Sequence, residues 1–259
     1  MEKRRFTVGN LTVKVFDSRS ESGKAAAEDA AAKINGAIRK KGEATVVFAA
    51  APSQNELLAN LKEADVNWKK VRALHMDEYV GLSPEHPAGF GNFLDRAIFK
   101  GRPFMEIHYL RGKEPMEVID RYAELLKKYP PDLVLLGVGE NGHLAFNDPA
   151  AADFDDPKPI KLVRLDDVCR QQQVNDGCFA SFDEVPKEAL TLTMSALRRI
   201  PGKVSAVPGP TKAEAVFRAL TGPVETACPA SILRECEPST LYLDADSAAR
   251  IAGRFLEGL

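Results

Sequence analysis

The chain has 259 residues, of which 44% are hydrophobic and 28% are charged, and its formal net charge at pH 7 is −2. This composition is typical of a globular protein, and the length suits one domain spanning residues 1–259. The absence of a basic block argues against nucleic acid as a partner, and no apolar run approaches the roughly 18 residues that a membrane span requires.

The four cysteines form no Cys-x-x-Cys pair, so the sequence favours neither a zinc site nor a disulfide framework. We interpret them as reduced thiols in a cytoplasmic protein. The charged N-terminal segment has no apolar stretch behind it and does not predict a signal peptide.

Predicted strands and helices alternate along the chain. The helices are expected at residues 20–41, 53–64, 89–99, 114–128, 166–174 and 247–256, with one more after Thr211. The strands are expected at residues 44–50, 71–76, 133–138, 160–165, 189–193, 203–207 and 241–244. This order predicts a three-layer, Rossmann-like α/β fold, a mostly parallel sheet with helices on both faces. Ser53 with Glu56, and Thr211 with Glu214, have the spacing of helix capping boxes.

Small and polar residues follow several predicted strands at the point where each strand ends. These segments are residues 51–55, 75–82, 137–148 and 208–212. Because the carboxyl ends of parallel strands meet at one edge of a sheet, we expect the segments to converge there. Ser53 and Lys212 stand at predicted helix N-termini, which bind anions through unpaired N–H groups. This placement indicates a phosphorylated small molecule as the ligand.

The most informative stretch is residues 136–149, LGVGENGHLAFNDP. Its glycines, among them Gly137, bring the backbone into a tight loop that carries His143 and Asp148. A lone histidine is often structural, and Asp77 after a strand can be a simple turn residue. Their shared position at strand ends favours a functional site.

Two segments resemble the signatures of the glucosamine-6-phosphate deaminase/isomerase family. They are residues 76–82, MDEYVGL, and residues 137–149, GVGENGHLAFNDP, where the family usually has G-x-G-x-D-G-H-x-A-F-N-E-P. The similarity extends over most of the chain, including VPKEALT at residues 185–191 and the predicted helix at Lys212. The superfamily also contains 6-phosphogluconolactonases, and the tyrosine-valine-glycine-leucine run after Asp77 and Glu78 favours the deaminase branch.

The resemblance implies an enzyme that opens the ring of an amino-sugar phosphate, moves a proton between C2 and C1, and releases ammonia to leave a ketose phosphate. His143 matches the residue that the family uses for ring opening, and Asp77 matches the base that serves both carbons. Positioned acid–base catalysis of this kind contributes on the order of 10² to 10⁴ in rate. The family's reaction requires no metal and no organic cofactor.

The histidine loop departs from the family's pattern at two positions. Asn141 stands where the family has an aspartate, so we expect its amide to hold the imidazole without adding charge, which makes His143 a weaker base. Asp148 replaces a glutamate and is shorter by roughly 1.5 Å, the length of one C–C bond. Both changes predict slower ring opening or a different substrate.

The phosphate loop departs from the pattern as well. Residues 49–54, AAAPSQ, keep the hydroxyl of Ser53 with Gln54 beside it, and we expect both side chains, together with Gly137, to contact the substrate or its phosphate. The segment lacks the family's glycines, and Pro52 removes an N–H donor. Lys212 matches a phosphate-binding lysine, whereas the arginine that the family places before VPKEALT is not evident. We therefore expect weaker phosphate binding. The basic residues of the family's allosteric site are not clearly present, and we expect no activation by an amino-sugar phosphate.

Three functions stay open at this point. The first is a deaminase/isomerase of an amino-sugar phosphate, and the second is another enzyme of the superfamily, such as a lactone hydrolase or an isomerase of another sugar. The third is a sugar-phosphate-binding regulator without catalysis. The presence of Asp77, His143 and a carboxylate at position 148 favours the first. In each case the partner is a small-molecule sugar phosphate. The sequence does not determine the oligomeric state and allows a homo-oligomer.

Overall fold

A computed structural model describes residues 2–255 of the chain. Within this range the strands are β1 (Glu2–Val8), β2 (Leu11–Phe16), β3 (Ala44–Phe48), β4 (Val71–His75), β5 (Asp77–Tyr79), β6 (Glu106–His108), β7 (Leu133–Leu136), β8 (Ile160–Arg164), β9 (Glu188–Leu192), β10 (Gly202–Val207) and β11 (Ser239–Leu243). The helices are α1 (Arg19–Lys41), α2 (Asn55–Glu63), α3 (Phe90–Ala97), α4 (Pro115–Lys128), α5 (Asp167–Asn175), α6 (Met194–Arg199), α7 (Ala213–Thr221) and α8 (Ala252–Phe255).

The main sheet has eight strands in the order β1-β2-β11-β10-β7-β3-β4-β6. All neighbouring pairs are parallel except β1 and β2. Side chains of α1, α2 and α3 pack in one hydrophobic cluster, and side chains of α4, α6 and α7 pack in another. The predicted three-layer α/β fold with a mostly parallel sheet is thereby confirmed.

Strand β7 shows why a central strand can be apolar at every position. Leu133 and Leu135 belong to the cluster that contains α1, whereas Val134 and Leu136 belong to the cluster that contains α4. Successive side chains of a strand point to opposite faces, so a strand covered on both sides needs an apolar residue at every position.

A second, three-stranded sheet corrects the predicted single sheet. The strands expected near residues 160 and 189 do form, but as β8 and β9 they pair antiparallel with each other, and β9 also pairs antiparallel with β5. Strand β5 has three residues, too few for a period to show in the sequence. Its first residue, Asp77, lies opposite Thr191 of β9. The chain therefore leaves the main sheet directly before Asp77.

The N-terminal hairpin of β1 and β2 was not predicted. Alternate positions of β1 are exposed, and the strand is rich in lysine and arginine at the edge of the sheet. Charged residues are common on edge strands, where they oppose pairing with other chains, and here they mask the apolar alternation.

Neither predicted capping box forms. Ser53 and Thr211 lie inside 3₁₀ turns, Pro52–Gln54 and Pro210–Lys212, which precede α2 and α7 and have no side-chain cap. A proline opens each turn, because its fixed φ suits a first helical position. The hydroxyl of Ser53 is therefore not engaged as a helix cap.

The ends of two predicted helices also differ from expectation. Helix α1 begins after Ser18, whose side chain accepts a hydrogen bond from the backbone N–H of Glu21, and it ends at Gly42 with a φ of 87°. The predicted C-terminal helix is a 3₁₀ turn, Ala249–Ile251, followed by the short α8, and its predicted last residue, Leu256, lies outside the described residues. None of the helices described here is long and apolar enough to span a membrane.

Candidate active site

A cleft at the carboxyl edge of the parallel strands brings together most of the residues expected from the sequence. Its lining includes Ser53, Asp77, Gly137, His143 and Lys212. These side chains follow β3, β4, β7 and β10, so the predicted convergence of strand ends is what the structure shows.

The loop after β7 turns tightly around the histidine. The backbone N–H of Gly139 donates to the carbonyl of His143 (3.0 Å), and the N–H of Gly142 donates to the carbonyl of Gly139 (3.0 Å). Gly142 has a φ of 90°, a left-handed conformation that favours glycine. A side chain at position 139 would overlap the imidazole ring. Both glycines are therefore required for the position of His143.

The same loop is hydrogen-bonded to β9, the strand that pairs with β5. The backbone N–H of Phe146 donates to the Thr191 hydroxyl (3.1 Å), and the buried Asn147 amide donates to the carbonyl of Leu192 (2.8 Å). Thr191 is the register partner of Asp77. Strand β9 thus fixes the loop of His143 relative to Asp77.

A carboxylate, not the predicted amide, contacts the imidazole. Nδ1 of His143 lies 3.0 Å from Oδ1 of Asp148, although the ring N–H is not aligned for a regular hydrogen bond. Asn141 donates from its side-chain nitrogen to the same carboxylate (2.9 Å), and its oxygen accepts from the backbone N–H of His143 (3.0 Å). The expectation that Asn141 holds the ring is wrong, because its side chain reaches the backbone and Asp148 instead.

Asp148 is suited to remain a carboxylate. Burial opposes its ionisation, but the contacts with His143 and Asn141 outweigh this effect and lower the pKa of Asp148. Its side chain is 2% exposed and does not line the cleft. The short side chain nevertheless reaches the ring, so the predicted loss of reach leaves no gap at Nδ1.

Asp77 has the opposite electrostatic environment. It is almost fully buried, and burial together with the neighbouring Glu78 carboxylate raises its pKa well above the ordinary range. One of its oxygens, Oδ1, is buried without a hydrogen-bond partner among the described residues. A carboxyl group in this state accepts and releases protons closer to neutral pH than an exposed aspartate.

Glu78 does not line the cleft that Asp77 lines. Its carboxylate accepts hydrogen bonds from the backbone N–H groups of Phe90 (2.9 Å) and Gly91 (2.9 Å) at the start of α3. It therefore occupies the positive end of that helix, where a carboxylate is stabilised.

Lys212 is the cation of the cleft. It is 5% exposed, and none of residues 2–255 forms a hydrogen bond or ion pair with its ammonium group. Burial lowers its pKa, partly offset by the more distant carboxylates of Asp176 and Glu140. A buried ammonium group without a partner is unfavourable, so the geometry suits an anionic ligand.

Ser53 shares the cleft with Lys212, whereas Gln54 does not. The side chain of Gln54 is fully buried and donates to the Ser53 hydroxyl (3.2 Å) and to the carbonyl of Ala206 (3.1 Å). The predicted ligand contact of Gln54 is therefore corrected, because this side chain lies behind Ser53 and orients it. Gly137 leaves room for the pair, since an added Cβ would lie 3.1 Å from the Gln54 amide nitrogen.

Two glutamines of α5 were not predicted as site residues. Gln172 and Gln173 both line the cleft. The oxygen of Gln172 accepts from the backbone N–H of Glu140 (2.9 Å), and the oxygen of Gln173 accepts from the Tyr79 hydroxyl (2.7 Å). The signal in the sequence was the run of three glutamines at residues 171–173, polar side chains that can serve a ligand on a partly buried helix.

One group of described residues has ligand atoms close enough to hold a metal ion. The atoms belong to His143, Asp148 and Cys169 and lie within 4.8 Å of one another. Burial and the neighbouring carboxylates raise the pKa of the Cys169 thiol. A metal binds the thiolate, so the protonated thiol makes this group a poor fit for a metal centre.

The chain matches a family model described as glucosamine-6-phosphate isomerases/6-phosphogluconolactonase over residues 17–242. It is 30% identical over 243 residues to a glucosamine-6-phosphate deaminase of Lactobacillus delbrueckii subsp. bulgaricus, which covers 92% of this chain and 99% of that protein. It is 33% identical over 212 residues to a glucosamine-6-phosphate deaminase of Streptococcus thermophilus, which covers 81% of this chain and 89% of that protein.

Solved structures show the same fold. One, of a monomeric glucosamine-6-phosphate deaminase, has a TM-score of 0.83 at 24% identity and covers 92% of this chain and 99% of its own. Another, of 6-phosphogluconolactonase from Trypanosoma brucei, has a TM-score of 0.77 at 16% identity and covers 96% of this chain and 100% of its own. The chain belongs to the glucosamine-6-phosphate isomerase/6-phosphogluconolactonase family.

Proposed function

We propose that this protein is an aldose–ketose isomerase/deaminase that converts glucosamine-6-phosphate, or a close amino-sugar phosphate, to a ketose phosphate and ammonia. The observation that carries the proposal is the buried Asp77 carboxyl in the cleft shared with His143 and Lys212. This carboxyl has a raised pKa, and one of its oxygens has no hydrogen-bond partner within residues 2–255.

The two titratable groups divide the reaction between them. Nδ1 of His143 faces Asp148, which leaves Nε2 to exchange a proton with the ring oxygen of the sugar. Asp77 then removes the proton from C2 and delivers it to C1, which requires a carboxyl that changes its protonation state readily. The C2 imine that results takes up one water molecule, and its C–N bond breaks to give the C2 carbonyl of the ketose phosphate and ammonia. Asp148 stabilises the imidazolium that forms when His143 takes up a proton.

Lys212 and Ser53 supply the phosphate subsite. The ammonium group lacks a partner among the described residues, and the hydroxyl of Ser53, which accepts from Gln54, belongs to a lining residue of the same cleft. A phosphate dianion supplies the negative charge that pairs with the Lys212 ammonium group. The neutral amides of Gln172 and Gln173 add hydrogen-bonding capacity without a second cation.

Asp77 also favours isomerisation over lactone hydrolysis. Opening a lactone requires one base to activate water, and His143 can serve that role alone. A buried carboxyl of raised pKa, in addition to His143, is needed only when a proton must move between two carbons, and Asp77 is such a carboxyl. This chemistry supports the deaminase/isomerase over a 6-phosphogluconolactonase, whose fold the chain shares.

The proposal is tested by incubating the purified protein separately with glucosamine-6-phosphate, with unphosphorylated glucosamine and with 6-phosphogluconolactone. We expect glucosamine-6-phosphate to give ammonia and a ketose phosphate. We expect little turnover of glucosamine, because it has no phosphate group to pair with Lys212. Faster hydrolysis of the lactone than release of ammonia would overturn the proposal. Binding of the first compound without turnover would identify a regulator instead.

A further inference from the structure

His75, the last residue of β4, is the least exposed histidine of the chain and lies two residues before Asp77. Its side chain is fully buried. Nδ1 lies 2.8 Å from the backbone carbonyl of Asp77, and Nε2 lies 2.9 Å from the backbone nitrogen of Leu110. The ring therefore spans the point where the chain passes from the parallel sheet to the antiparallel one.

The two contacts determine the protonation state of the ring. A backbone carbonyl only accepts, so Nδ1 must carry the hydrogen that points at Asp77. A backbone N–H only donates, so Nε2 must present its lone pair to Leu110. The ring is neutral, with its hydrogen on Nδ1, and a second proton would leave the N–H of Leu110 facing another donor.

The surroundings hold the ring in this state. Tyr122 accepts from the backbone N–H of His75 (2.9 Å) and donates to its carbonyl (2.7 Å), while Tyr109 packs against the ring with centroids 6.0 Å apart. The charged groups that act on the ring are Arg111, which disfavours the cation, and Asp95, which favours it. Burial exceeds both effects and lowers the pKa of His75 to about 4.

We infer that His75 is a positioning residue for the catalytic base: its Nδ1–H group fixes the backbone of Asp77 and thereby aims the carboxyl at the substrate. The inference rests on the proposed function in assigning Asp77 the proton transfer. His75 does not itself line the cleft, and it acts through its contact with the carbonyl of Asp77, which does.

Two substitutions distinguish the roles of the two ring nitrogens of His75. In His75→Asn the amide nitrogen stands where Nδ1 stood and can still donate to the Asp77 carbonyl, while Leu110 loses its acceptor. In His75→Gln the longer amide reaches Leu110, while the Asp77 carbonyl loses its donor. We expect kcat for ammonia release to fall about 10- to 100-fold in His75→Gln with KM unchanged, and to stay close to wild type in His75→Asn. His108→Asn, at a half-buried histidine outside the site, is the matched control and keeps both constants.

A second readout does not depend on turnover. Nitrogen-15 NMR of the four histidines, with His75→Gln to assign the signal, reports which ring nitrogen carries the hydrogen. We expect the Nδ1–H form throughout the neutral range. We also expect the carbon-13 signal of the Asp77 carboxyl to be unchanged in His75→Asn and shifted in His75→Gln.

The outcomes distinguish this inference from the proposed function. If the wild type releases no ammonia, the proposed function is wrong, and the two NMR measurements still decide the role of His75. Equal losses of kcat in both variants, a change confined to KM, or a ring protonated on Nε2 would each overturn the positioning role.

Discussion

Nδ1 of His143 lies 3.0 Å from Oδ1 of Asp148, and the amide of Asn141 donates to that same oxygen at 2.9 Å. The two departures from the family's motif are therefore in direct contact. The shorter carboxylate at position 148 is accompanied by a neutral hydrogen-bond donor at position 141. Of these two side chains, only Asp148 places a negative charge beside the His143 imidazole.

This contact predicts that the two positions are coupled. Asn141→Asp removes the hydrogen bond to Asp148 and places two carboxylates side by side, which raises the pKa of the pair. Since the folded pKa then exceeds the unfolded one, the folded state is stable while the pair holds a proton and loses about 1–3 kcal/mol as pH rises through that pKa.

The double variant with Asp148→Glu restores the family's motif, and we expect it to regain kcat relative to Asn141→Asp alone. The measurement is kcat and urea unfolding for both single variants and the double variant near pH 7. Purely additive effects would show that the two positions are independent.

Lys212→Met is expected to weaken binding and to stabilise the protein. The loss of a charge-assisted hydrogen bond raises KM for the sugar phosphate about 10- to 100-fold. The ammonium group of this buried lysine has no partner in the described part of the chain, so its removal raises the free energy of unfolding by roughly 1 kcal/mol. Steady-state kinetics and thermal unfolding measure both, with the exposed Lys113→Met as control. An unchanged KM would remove Lys212 from the phosphate subsite.

Gly139→Ala tests the packing of the histidine loop. An added methyl group overlaps the His143 ring, so the ring must move, and we expect kcat to fall about 100-fold. Gly36→Ala in α1 is the matched control, because the nearest atom to the added Cβ is a guanidinium nitrogen of Arg39 at 3.9 Å, an ordinary contact, and alanine stabilises the helix by up to about 1 kcal/mol. Wild-type kcat in Gly139→Ala would mean that the ring position is not critical.

The buried His75 predicts a specific loss of stability in acid. Its folded pKa of about 4 lies below the unfolded value of 6.5, so the neutral ring favours the folded state. The contribution is complete above the unfolded pKa and is lost as pH falls toward the folded pKa. Between about pH 7 and about pH 4.5 we expect the wild type to lose on the order of 2 kcal/mol more unfolding free energy than His75→Gln. Asp95 and Arg111, which face the ring, are present in both proteins, and identical pH dependence would contradict the buried neutral ring.

Local patterns predicted the parallel core because they depend on neighbouring residues. Strand β7 is apolar at all four positions, and the glycines after it require a turn, so both the strand and the loop of His143 were found. The capping boxes predicted at Ser53 and Thr211 do not form because prolines one position earlier already begin the turn.

Strand pairing and side-chain contacts between residues distant in sequence could not be predicted from local patterns. Strand β5 is too short to show a period, and its pairing with β9 depends on residues more than a hundred positions away. The contact of Asp148 with the imidazole arises from the path of the loop, so the sequence assigned that role to the nearer Asn141. The hydrogen bond from the Tyr79 hydroxyl to the oxygen of Gln173 likewise joins residues that lie 94 positions apart.

The most direct test of the central claim is ammonia release from glucosamine-6-phosphate by the wild type and by Asp77→Asn. The amide keeps the shape of the side chain but cannot accept the C2 proton. We predict turnover by the wild type and a loss of at least about 100-fold in kcat for Asp77→Asn, with KM little changed. Equal ammonia release by the two proteins would contradict the assignment of Asp77 as the base.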